Sequence, residues 1–359
     1  MSLPTQQKAL ILPSYGPGAA FQLSTRAVPK PGAGQVLIRN TAAALNPLDF
    51  AIRNIGIFVT EWPAVVGYDG AGTIVALGPD VQGWKVGDVV VYQGFWPADT
   101  GVYQEYTLAP ADLVAKIPKN VSVEEASTLS IALATATCAL YTAPGPHTLG
   151  FTAPWEEGGA GKYKGQAALV IGGSSSVGQL TLQILKLSGF SPIITTASAS
   201  NEAYCRAAGA THFIDYHTTP YSALKSKVEE ILDGKTPLPL VFDAISVDES
   251  QKAAWDILKP GGKLVVTLPP LIEGAQPGVE TKDGKTLVMA HGSFGAEENL
   301  KVSREVFKLL TGWLESGVVK PNRVEVIPGG LNGVVPGLER LETKGVSGVK
   351  LVVRHAETA

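Results

Sequence analysis

Near its middle, the chain reads Ala167-Ala168-Leu169-Val170-Ile171-Gly172-Gly173-Ser174-Ser175-Ser176-Val177-Gly178-Gln179-Leu180. This segment predicts an apolar strand, a turn of very small residues and a helix. Such a turn can hold a pyrophosphate, because its glycines allow a tight bend and the first N–H groups of the helix face the anion. The spacing departs from G-x-G-x-x-G at Ser174 and Ser176, so a plain strand-to-helix connection is the alternative. The residues expected to contact such a ligand are Gly173, Ser174, Ser175, Ser176 and Val177.

A second strand follows the helix at Pro192-Ile193-Ile194-Thr195-Thr196-Ala197 and leads into Ser198-Ala199-Ser200-Asn201. A Rossmann unit reads the adenosine ribose at the end of this strand, with an acidic residue for NAD and a phosphate-tolerant group for NADP. The tetrapeptide contains no acid, and Ser198 and Asn201 can donate hydrogen bonds to a 2′-phosphate. The sequence therefore favours NADPH as the cofactor.

Composition excludes several classes of partner. The 359 residues are 45% hydrophobic, enough for two domains, and a formal charge of −3 gives no basic field for nucleic acid or anionic lipid. Two cysteines, Cys138 and Cys205, do not make a disulfide framework. The start, residues 1–7, lacks the charged and apolar regions of a secretory signal, and the apolar helical run at 126–141 is too short to cross a bilayer. We therefore expect a cytoplasmic protein with no nucleic-acid or membrane partner.

The chain changes character after about residue 120. Residues 8–120 contain short β-type runs separated by glycine and proline turns, at Lys8–Leu12, Gln35–Ala43, Ala71–Leu77, Val89–Tyr92 and Tyr103–Leu108. Ser122-Val123-Glu124-Glu125 is typical of a capping box, and the periodicity predicts one long helix from there through Tyr141. Beyond Gln166, strands alternate with helices, which predicts an α/β fold with a doubly wound parallel sheet.

Five motifs occur in order along the chain: Leu45-Asn46-Pro47-Leu48-Asp49, Val66-Gly67-Tyr68-Asp69-Gly70-Ala71-Gly72, Val86-Gly87-Asp88-Val89-Val90, the glycine-serine turn, and Val346-Ser347-Gly348-Val349-Lys350-Leu351-Val352-Val353. In this succession the chain resembles the medium-chain dehydrogenase/reductase superfamily over nearly its whole length. The resemblance extends to its zinc-free branch, including fungal trans-acting enoyl reductases and quinone oxidoreductase-like proteins.

This resemblance implies an architecture and a location for the active site. A GroES-like, β-rich catalytic domain is expected from residues 1–125 and 310–359, and a Rossmann nucleotide-binding domain from residues 126–309. The active site is expected in the cleft. The resemblance implies a small-molecule substrate and leaves open an acyl carrier or synthase partner, as well as the choice between monomer and homodimer.

The residues predict that no zinc takes part. A catalytic zinc needs three deprotonatable N, S or O ligands, and a structural zinc usually needs four cysteines. Where zinc-dependent relatives carry Gly-His-Glu and a cysteine, this chain has Gly67-Tyr68-Asp69 and Asn46. We expect hydride transfer without a Lewis acid.

The resemblance assigns cofactor contacts to residues distributed over both predicted domains. They are Asn46, Pro47, Thr135, Tyr216, Gly348 and Lys350. The structural alternatives are an Asn-Pro turn for Asn46 and Pro47, a hydroxyl bonded to its own helix for Thr135, a strand-end aromatic residue for Tyr216 and a solvated strand residue for Lys350. Ser246 and Leu268 end successive strands of the predicted parallel sheet, at the edge where such folds bind ligands.

Tyr68 is the main chemical candidate, with Thr135 beside the nicotinamide as the second. The Tyr68 phenol replaces a zinc ligand and can donate a hydrogen bond to a substrate carbonyl or a proton to a carbanion; a pocket-lining aromatic is the alternative. Many relatives carry a lysine shortly after the Asn-Pro-x-Asp element, whereas here Arg53 is the available cation. The expected substrate pocket contains Phe50, Arg53, Tyr68, Trp96 and Phe294.

These features predict a zinc-independent, NADPH-dependent reductase of an activated C=C bond, such as an enone, enal or enoyl thioester. The same scaffold can instead reduce a quinone, ketone or aldehyde. A cofactor-binding structural or partner-binding protein without turnover is the alternative from another class.

Overall fold

The computed structural model describes residues 3–343 and 345–359. Met1, Ser2 and Lys344, all within the range predicted for the catalytic domain, lie outside the described residues. Two units have dense internal packing: unit 1 comprises the described part of residues 1–131, 304–317 and 321–359, and unit 2 comprises residues 132–303 and 318–320. Within the described ranges, none of the helices has the length and apolar character needed to cross a membrane.

Strands and helices are numbered along the whole chain. The strands are β1 Gln6–Leu12, β2 Gln22–Ala27, β3 Gln35–Ala44, β4 Ala64–Val65, β5 Asp69–Leu77, β6 Val89–Gln93, β7 Tyr106–Pro110, β8 Val114–Lys116, β9 Ala168–Ile171, β10 Ile193–Ala197, β11 His212–Asp215, β12 Leu240–Asp243, β13 Lys263–Val266, β14 Thr286–Met289, β15 Val324–Ile327 and β16 Lys350–Arg354. The helices are α1 Pro47–Ile55, α2 Val123–Ala126, α3 Ser130–Tyr141, α4 Ser176–Leu187, α5 Glu202–Ala208, α6 Tyr221–Leu232, α7 Asp248–Ile257, α8 Leu300–Ser316 and α9 Val334–Glu342.

Unit 1 is the GroES-like domain that the sequence predicted. Its larger sheet has the order β15-β16-β3-β5-β6-β8, with β7 also paired to β3, and a smaller sheet has the order β2-β1-β4. The C-terminal strand β16 pairs with β3, with Val352 opposite Ala44. Both ends of the chain therefore contribute to one domain. The sequence patterns missed β2, because this strand is almost entirely exposed and shows no alternation of apolar and polar residues.

Unit 2 has the predicted Rossmann sheet, with six parallel strands in the order β11-β10-β9-β12-β13-β14. All four residues of the central strand β9 are buried, as expected for a parallel sheet that is covered on both faces. The strand order reverses between β9 and β12, and the glycine-serine turn follows β9 at this point. In open α/β sheets, ligands bind at such a switch point.

One predicted helix is divided. The capping box is present, with the Ser122 hydroxyl accepting from the Glu125 N–H and the Glu125 side chain accepting from the Ser122 N–H. The helix predicted from there through Tyr141 is wrong in one respect, since α2 ends at Ala126 and α3 begins at Ser130. The Ser127 and Thr128 hydroxyls donate to the carbonyls three residues earlier. Small hydroxyl side chains compete with the helix backbone in this way.

The turn after β9 needs residues without side chains. Gly172 has φ +82°, and a Cβ added at Gly173 would lie 2.0 Å from Thr195 Oγ1. A Cβ at Gly178 would lie 2.2 Å from the Gly172 carbonyl oxygen. The Ser175 hydroxyl accepts the Gly178 N–H at 3.0 Å and caps α4. The turn and the first turn of α4 are therefore packed at backbone-to-backbone distance.

Gly178→Ala tests this packing. The new methyl group meets backbone that has no room to move, so we expect the free energy of unfolding to fall by about 2 kcal/mol or more. The matched control is Gly312→Ala within α8, where a Cβ would have no neighbour within 4 Å; it is expected to raise stability by about 0.5–1 kcal/mol. Urea unfolding followed by circular dichroism measures both. Equal stability of the two variants would show that the turn tolerates a side chain.

Candidate functional site

Tyr68 lies in unit 1, between β4 and β5, on a backbone that is held from both sides. The Gly67 carbonyl accepts the Val102 N–H at 3.0 Å, and the Tyr68 carbonyl accepts the Gly94 N–H at 3.0 Å. Gly67 has φ +97°, and a Cβ there would lie 2.8 Å from the Tyr103 ring. Only glycine suits this position, and it fixes where the next residue, Tyr68, places its ring.

The Tyr68 side chain is buried, with 2% of the residue exposed. Its ring meets Trp96 edge to face, with 4.8 Å between the centroids. Within the described ranges, its hydroxyl has no hydrogen-bond partner. Burial, and next the charge of Asp49, raise the pKa of Tyr68 well above its ordinary value. The phenol is therefore neutral at physiological pH and can donate a hydrogen bond.

A buried polar cluster surrounds Asp69, the residue after Tyr68. Lys350 Nζ lies 3.1 Å from Asp69 Oδ2, and Asn46 Nδ2 donates to the same oxygen at 3.0 Å. The Ile131 N–H donates to Asp69 Oδ1 at 2.7 Å. Lys350 also donates to Asn46 Oδ1 at 2.5 Å. Asp69 is completely buried and 5% of the Lys350 side chain is exposed, so this is an ion pair away from solvent.

A second buried carboxyl, Asp49, lies in the first turn of α1. Its Oδ2 accepts the Asn46 N–H at 2.8 Å and the Tyr103 hydroxyl at 2.6 Å. Burial raises the pKa of Asp49 to about 7, although both hydrogen bonds act in the opposite direction. Because this value exceeds the ordinary 3.8, the native state binds more protons, and Asp49 lowers the stability of the protein as the pH rises from about 4 to about 7.

This donor set does not fit a catalytic zinc. Asn46 and Tyr68 offer an amide and a neutral phenol where zinc-dependent relatives carry ligands, and the Asp69 carboxylate is already paired with Lys350. Within residues 3–343 and 345–359, no three His, Cys, Asp or Glu side chains are placed to hold a metal ion together.

An aromatic ladder of Phe58, Trp96 and Tyr68 leads from the surface of unit 1 to the phenol. Phe58 stacks on Trp96, with centroids 5.2 Å apart and an interplanar angle of 22°, and 51% of Phe58 is exposed. Phe58 was not among the residues predicted for the pocket, because it stands in a loop at φ +65° where no periodic pattern marks it. The ladder provides an apolar wall beside Tyr68.

The other predicted pocket residues have varied surroundings. Arg53 Nη2 lies 2.7 Å from Glu342 Oε2, and its Nε donates to Asn54. A role as substrate anchor stays a prediction and requires this pair to break. Phe50 is half-buried in unit 1, and Phe294 is a fully buried residue of unit 2. Their places in a pocket also stay predictions.

Unit 2 brings together three of the predicted nucleotide contacts. Asn201 Nδ2 donates to Ser198 Oγ at 2.9 Å, directly after β10. Tyr216 follows the neighbouring strand β11; its N–H donates to the Ala197 carbonyl at 3.3 Å, and its ring is partly exposed against His217. These groups lie together at the carboxyl ends of two strands.

The remaining predicted contacts lie elsewhere. Ser246 is buried and its hydroxyl accepts the Thr267 N–H, so it ties the loop after β12 to the residue that follows β13, while Leu268 is exposed. Pro47 is exposed at the start of α1, Thr135 is buried on α3, and Gly348 has φ +66°. The alternative of a solvated Lys350 is wrong, because its ammonium is buried with Asp69. Cofactor contact by these residues stays a prediction.

Comparison with known proteins identifies the family of the chain. Residues 32–119 match the family described as alcohol dehydrogenase GroES-like domain, and residues 176–269 match zinc-binding dehydrogenase. The chain is 32% identical to the trans-enoyl reductase caaB of Aspergillus niger, over 98% of this chain and 97% of the relative. It is 32% identical to the 2-methylene-furan-3-one reductase of Solanum lycopersicum, over 98% of this chain and 80% of the relative.

A solved structure, the quinone oxidoreductase from Coxiella burnetii, is similar with a TM-score of 0.71 and 28% identity, covering 97% of this chain and 99% of the other. The fold and these similarities thus define an oxidoreductase with a GroES-like domain and a Rossmann domain. The chain belongs to the medium-chain dehydrogenase/reductase superfamily.

Lys350→Met tests the buried ion pair. It leaves the Asp69 carboxylate buried without its cation, so we expect a loss of about 3–5 kcal/mol in the free energy of unfolding. Adding Asp69→Asn should recover most of that loss, because the uncompensated charge is gone. Lys252→Met, which removes the exposed pair with Asp248, is the control and should cost less than about 1 kcal/mol. Chemical unfolding measures all four proteins; a Lys350→Met loss no larger than the control's would contradict the assignment.

Proposed function

We propose that this protein is a zinc-independent, NADPH-dependent reductase that adds a hydride and a proton across an activated C=C bond of an enone, enal or enoyl thioester. One observation carries the proposal. The neutral, buried phenol of Tyr68 has no hydrogen-bond partner in the described residues and stands where zinc-dependent relatives carry a metal ligand. Beside it, the Lys350 ammonium is already paired with Asp69. Such a phenol can stabilise an enolate oxygen by donating to it.

The nucleotide site supports a dinucleotide cofactor. The backbone cradle at Gly172, Gly173 and Gly178 has no room for a Cβ, and the first N–H groups of α4 have no partner within the helix, which suits a pyrophosphate. After β10, Ser198 and Asn201 offer hydroxyl and amide groups with no carboxylate among residues 198–201. These groups fit a 2′-phosphate and therefore NADPH. When bound, NADPH supplies the hydride.

The residues of unit 1 would bind and orient the acceptor. Tyr68 Oη would donate to the carbonyl oxygen of the acceptor, while the stacked Trp96 and Phe58 rings would keep water away from its conjugated part. The Lys350–Asp69 pair would hold Asn46 and the backbone after Tyr68 in place. An enoyl thioester acceptor would bring an acyl carrier protein or a synthase as partner.

The named relatives favour this reaction class. Trans-enoyl reductases and the tomato 2-methylene-furan-3-one reductase are similar to the chain over almost its whole length. The quinone oxidoreductase of Coxiella burnetii supports quinone reduction as the second candidate. A quinone also presents a carbonyl oxygen to a phenol, so the choice between the two must come from an assay.

The direct test uses absorbance to measure NADPH oxidation in the presence of matched enones, quinones and aldehydes. We expect kcat/KM to be highest for enones and unchanged after dialysis against EDTA, because the site has no zinc donor set. Preference for quinones would establish the second candidate. Tight NADPH binding without reduction of any acceptor would contradict a reductase, and loss of turnover on metal removal would contradict zinc independence.

Ser198→Asp tests the cofactor preference. A carboxylate at this position would repel a 2′-phosphate and accept from a ribose hydroxyl, so we expect the ratio of kcat/KM for NADPH to that for NADH to fall by about tenfold or more. The matched control is Ser191→Asp, which adds the same charge at the exposed opposite end of β10 and should leave the ratio unchanged. An unchanged ratio in Ser198→Asp would place the 2′-phosphate site elsewhere.

A further inference from the structure

Two buried oxygen atoms of unit 1 lack a hydrogen-bond partner among the residues that the structure describes: Tyr68 Oη and Asp49 Oδ1. Leaving such an atom unsatisfied costs about 1–3 kcal/mol. Most buried polar atoms in proteins are bonded, and exceptions often mark an ordered water or a functional group. The two orphaned atoms are therefore informative, because their neighbours Asp69, Asn46 and Lys350 are all bonded to one another.

Tyr103 links the two residues. Its ring packs against the backbone at Gly67, directly before Tyr68, and its hydroxyl donates to Asp49 Oδ2 at 2.6 Å. The Asp49 charge is also near enough to Tyr68 to raise the pKa of the phenol. Since Oδ2 already accepts from Tyr103 and from the Asn46 N–H, only Oδ1 is available for a further partner.

Asp49 is suited to exchange a proton near neutral pH. Burial is the largest cause of its raised pKa of about 7; the Asp69 charge raises it further, while the Tyr103 and Asn46 bonds and the Lys350 charge lower it. Tyr68, by contrast, stays protonated because burial raises its pKa well above the ordinary value. The pair thus combines a phenol that holds its proton with a carboxyl that can give one up.

We propose that Tyr68 Oη and Asp49 Oδ1 share one bridging water and that Asp49 supplies, through Tyr68, the proton that the enolate oxygen of the reduced acceptor takes up. This inference rests on the proposed function. As the hydride from NADPH adds to the β-carbon of the C=C bond, the proton on Tyr68 Oη passes to the enolate oxygen. The resulting enol then takes up a proton at the α-carbon from solvent and releases its O–H proton to solvent. The bridging water returns a proton to Tyr68 and takes one from Asp49, which becomes a carboxylate. Solvent then reprotonates Asp49, which restores the starting protonation state of the site.

Infrared spectroscopy of the protein without cofactor or substrate gives the first test. The difference between wild type and Asp49→Asn should contain a carboxylic acid carbonyl band that disappears with a midpoint of about pH 7. In Tyr103→Phe, which keeps the ring and removes one bond to the carboxylate, the midpoint should rise by about one pH unit. A difference spectrum without a titrating band, or a midpoint that Tyr103→Phe leaves in place, would overturn the inference whatever the enzyme reduces.

The pH dependence of kcat gives the second test, on an acceptor whose hydride step is shown by deuterated NADPH to limit the rate. Wild-type kcat should fall as the pH rises through about 7. Tyr103→Phe should move this fall upward with the infrared midpoint. Asp49→Asn should lower kcat by about tenfold, near the lower end of what proton transfer contributes, and remove the pH dependence. Tyr68→Phe should also lower kcat and remove its pH dependence. If Asp49 has a purely structural role, its substitution changes the stability of the protein and leaves the pH dependence of kcat unchanged.

Asp88→Asn is the matched control. Asp88 is paired with Lys116, which lowers its pKa, and it has no contact with Tyr68 or Asp49 among the bonds of the described residues. The pH dependence of kcat in Asp88→Asn should match that of the wild type. An Asp49→Asn enzyme with wild-type kcat and an unchanged profile would overturn the inference while leaving the proposed function intact. If no acceptor is reduced, the proposed function fails, and the infrared midpoints still decide whether Asp49 holds the proton.

Discussion

The buried ion pair between Asp69 and Lys350 is the constraint on which the GroES-like unit depends. A carboxylate at that depth is stable only with a cation and further donors, because removing either partner leaves an uncompensated charge. The Asp69 oxygens meet this need with the Lys350 ammonium, the Asn46 amide and the Ile131 N–H. One side chain thereby joins the C-terminal strand β16, the start of α1 and the first turn of α3.

The Asp69–Lys350 pair also affects which polar group beside it is available to a ligand. With Asp69 fully occupied, the adjacent Tyr68 is the polar group that faces the aromatic wall without a protein partner in the described chain. In zinc-dependent relatives, the resemblance places a metal cation in this neighbourhood. Here the positive charge belongs to Lys350, which is already neutralised. In the proposed reaction, the stabilisation of a developing enolate therefore falls to a neutral donor.

The Rossmann unit depends on a different kind of constraint, which is lack of space. At Gly173 and Gly178, a single methyl group would meet Thr195 Oγ1 or the Gly172 carbonyl at about half the distance of a normal contact. Small residues are required here by packing within the unit, independently of any ligand. The same packing brings the N-terminus of α4 close to the sheet edge, where a pyrophosphate can be bound by backbone groups.

Local patterns in the sequence determined the features that depend on neighbours along the chain. The glycine-serine turn, the capping box at Ser122 and Glu125, and the alternation of strands and helices in unit 2 were predicted because each is encoded within a few residues. The order of motifs also predicted the superfamily, whereas the role of Tyr68 stays a prediction. The tertiary structure alone decided that Lys350 is buried against Asn46, 304 positions away, that Arg53 pairs with Glu342, and that Phe58 stacks on Trp96. These contacts join residues far apart in the chain, and no local period or propensity carries that information, because the energy that favours them appears only when the sheets are assembled.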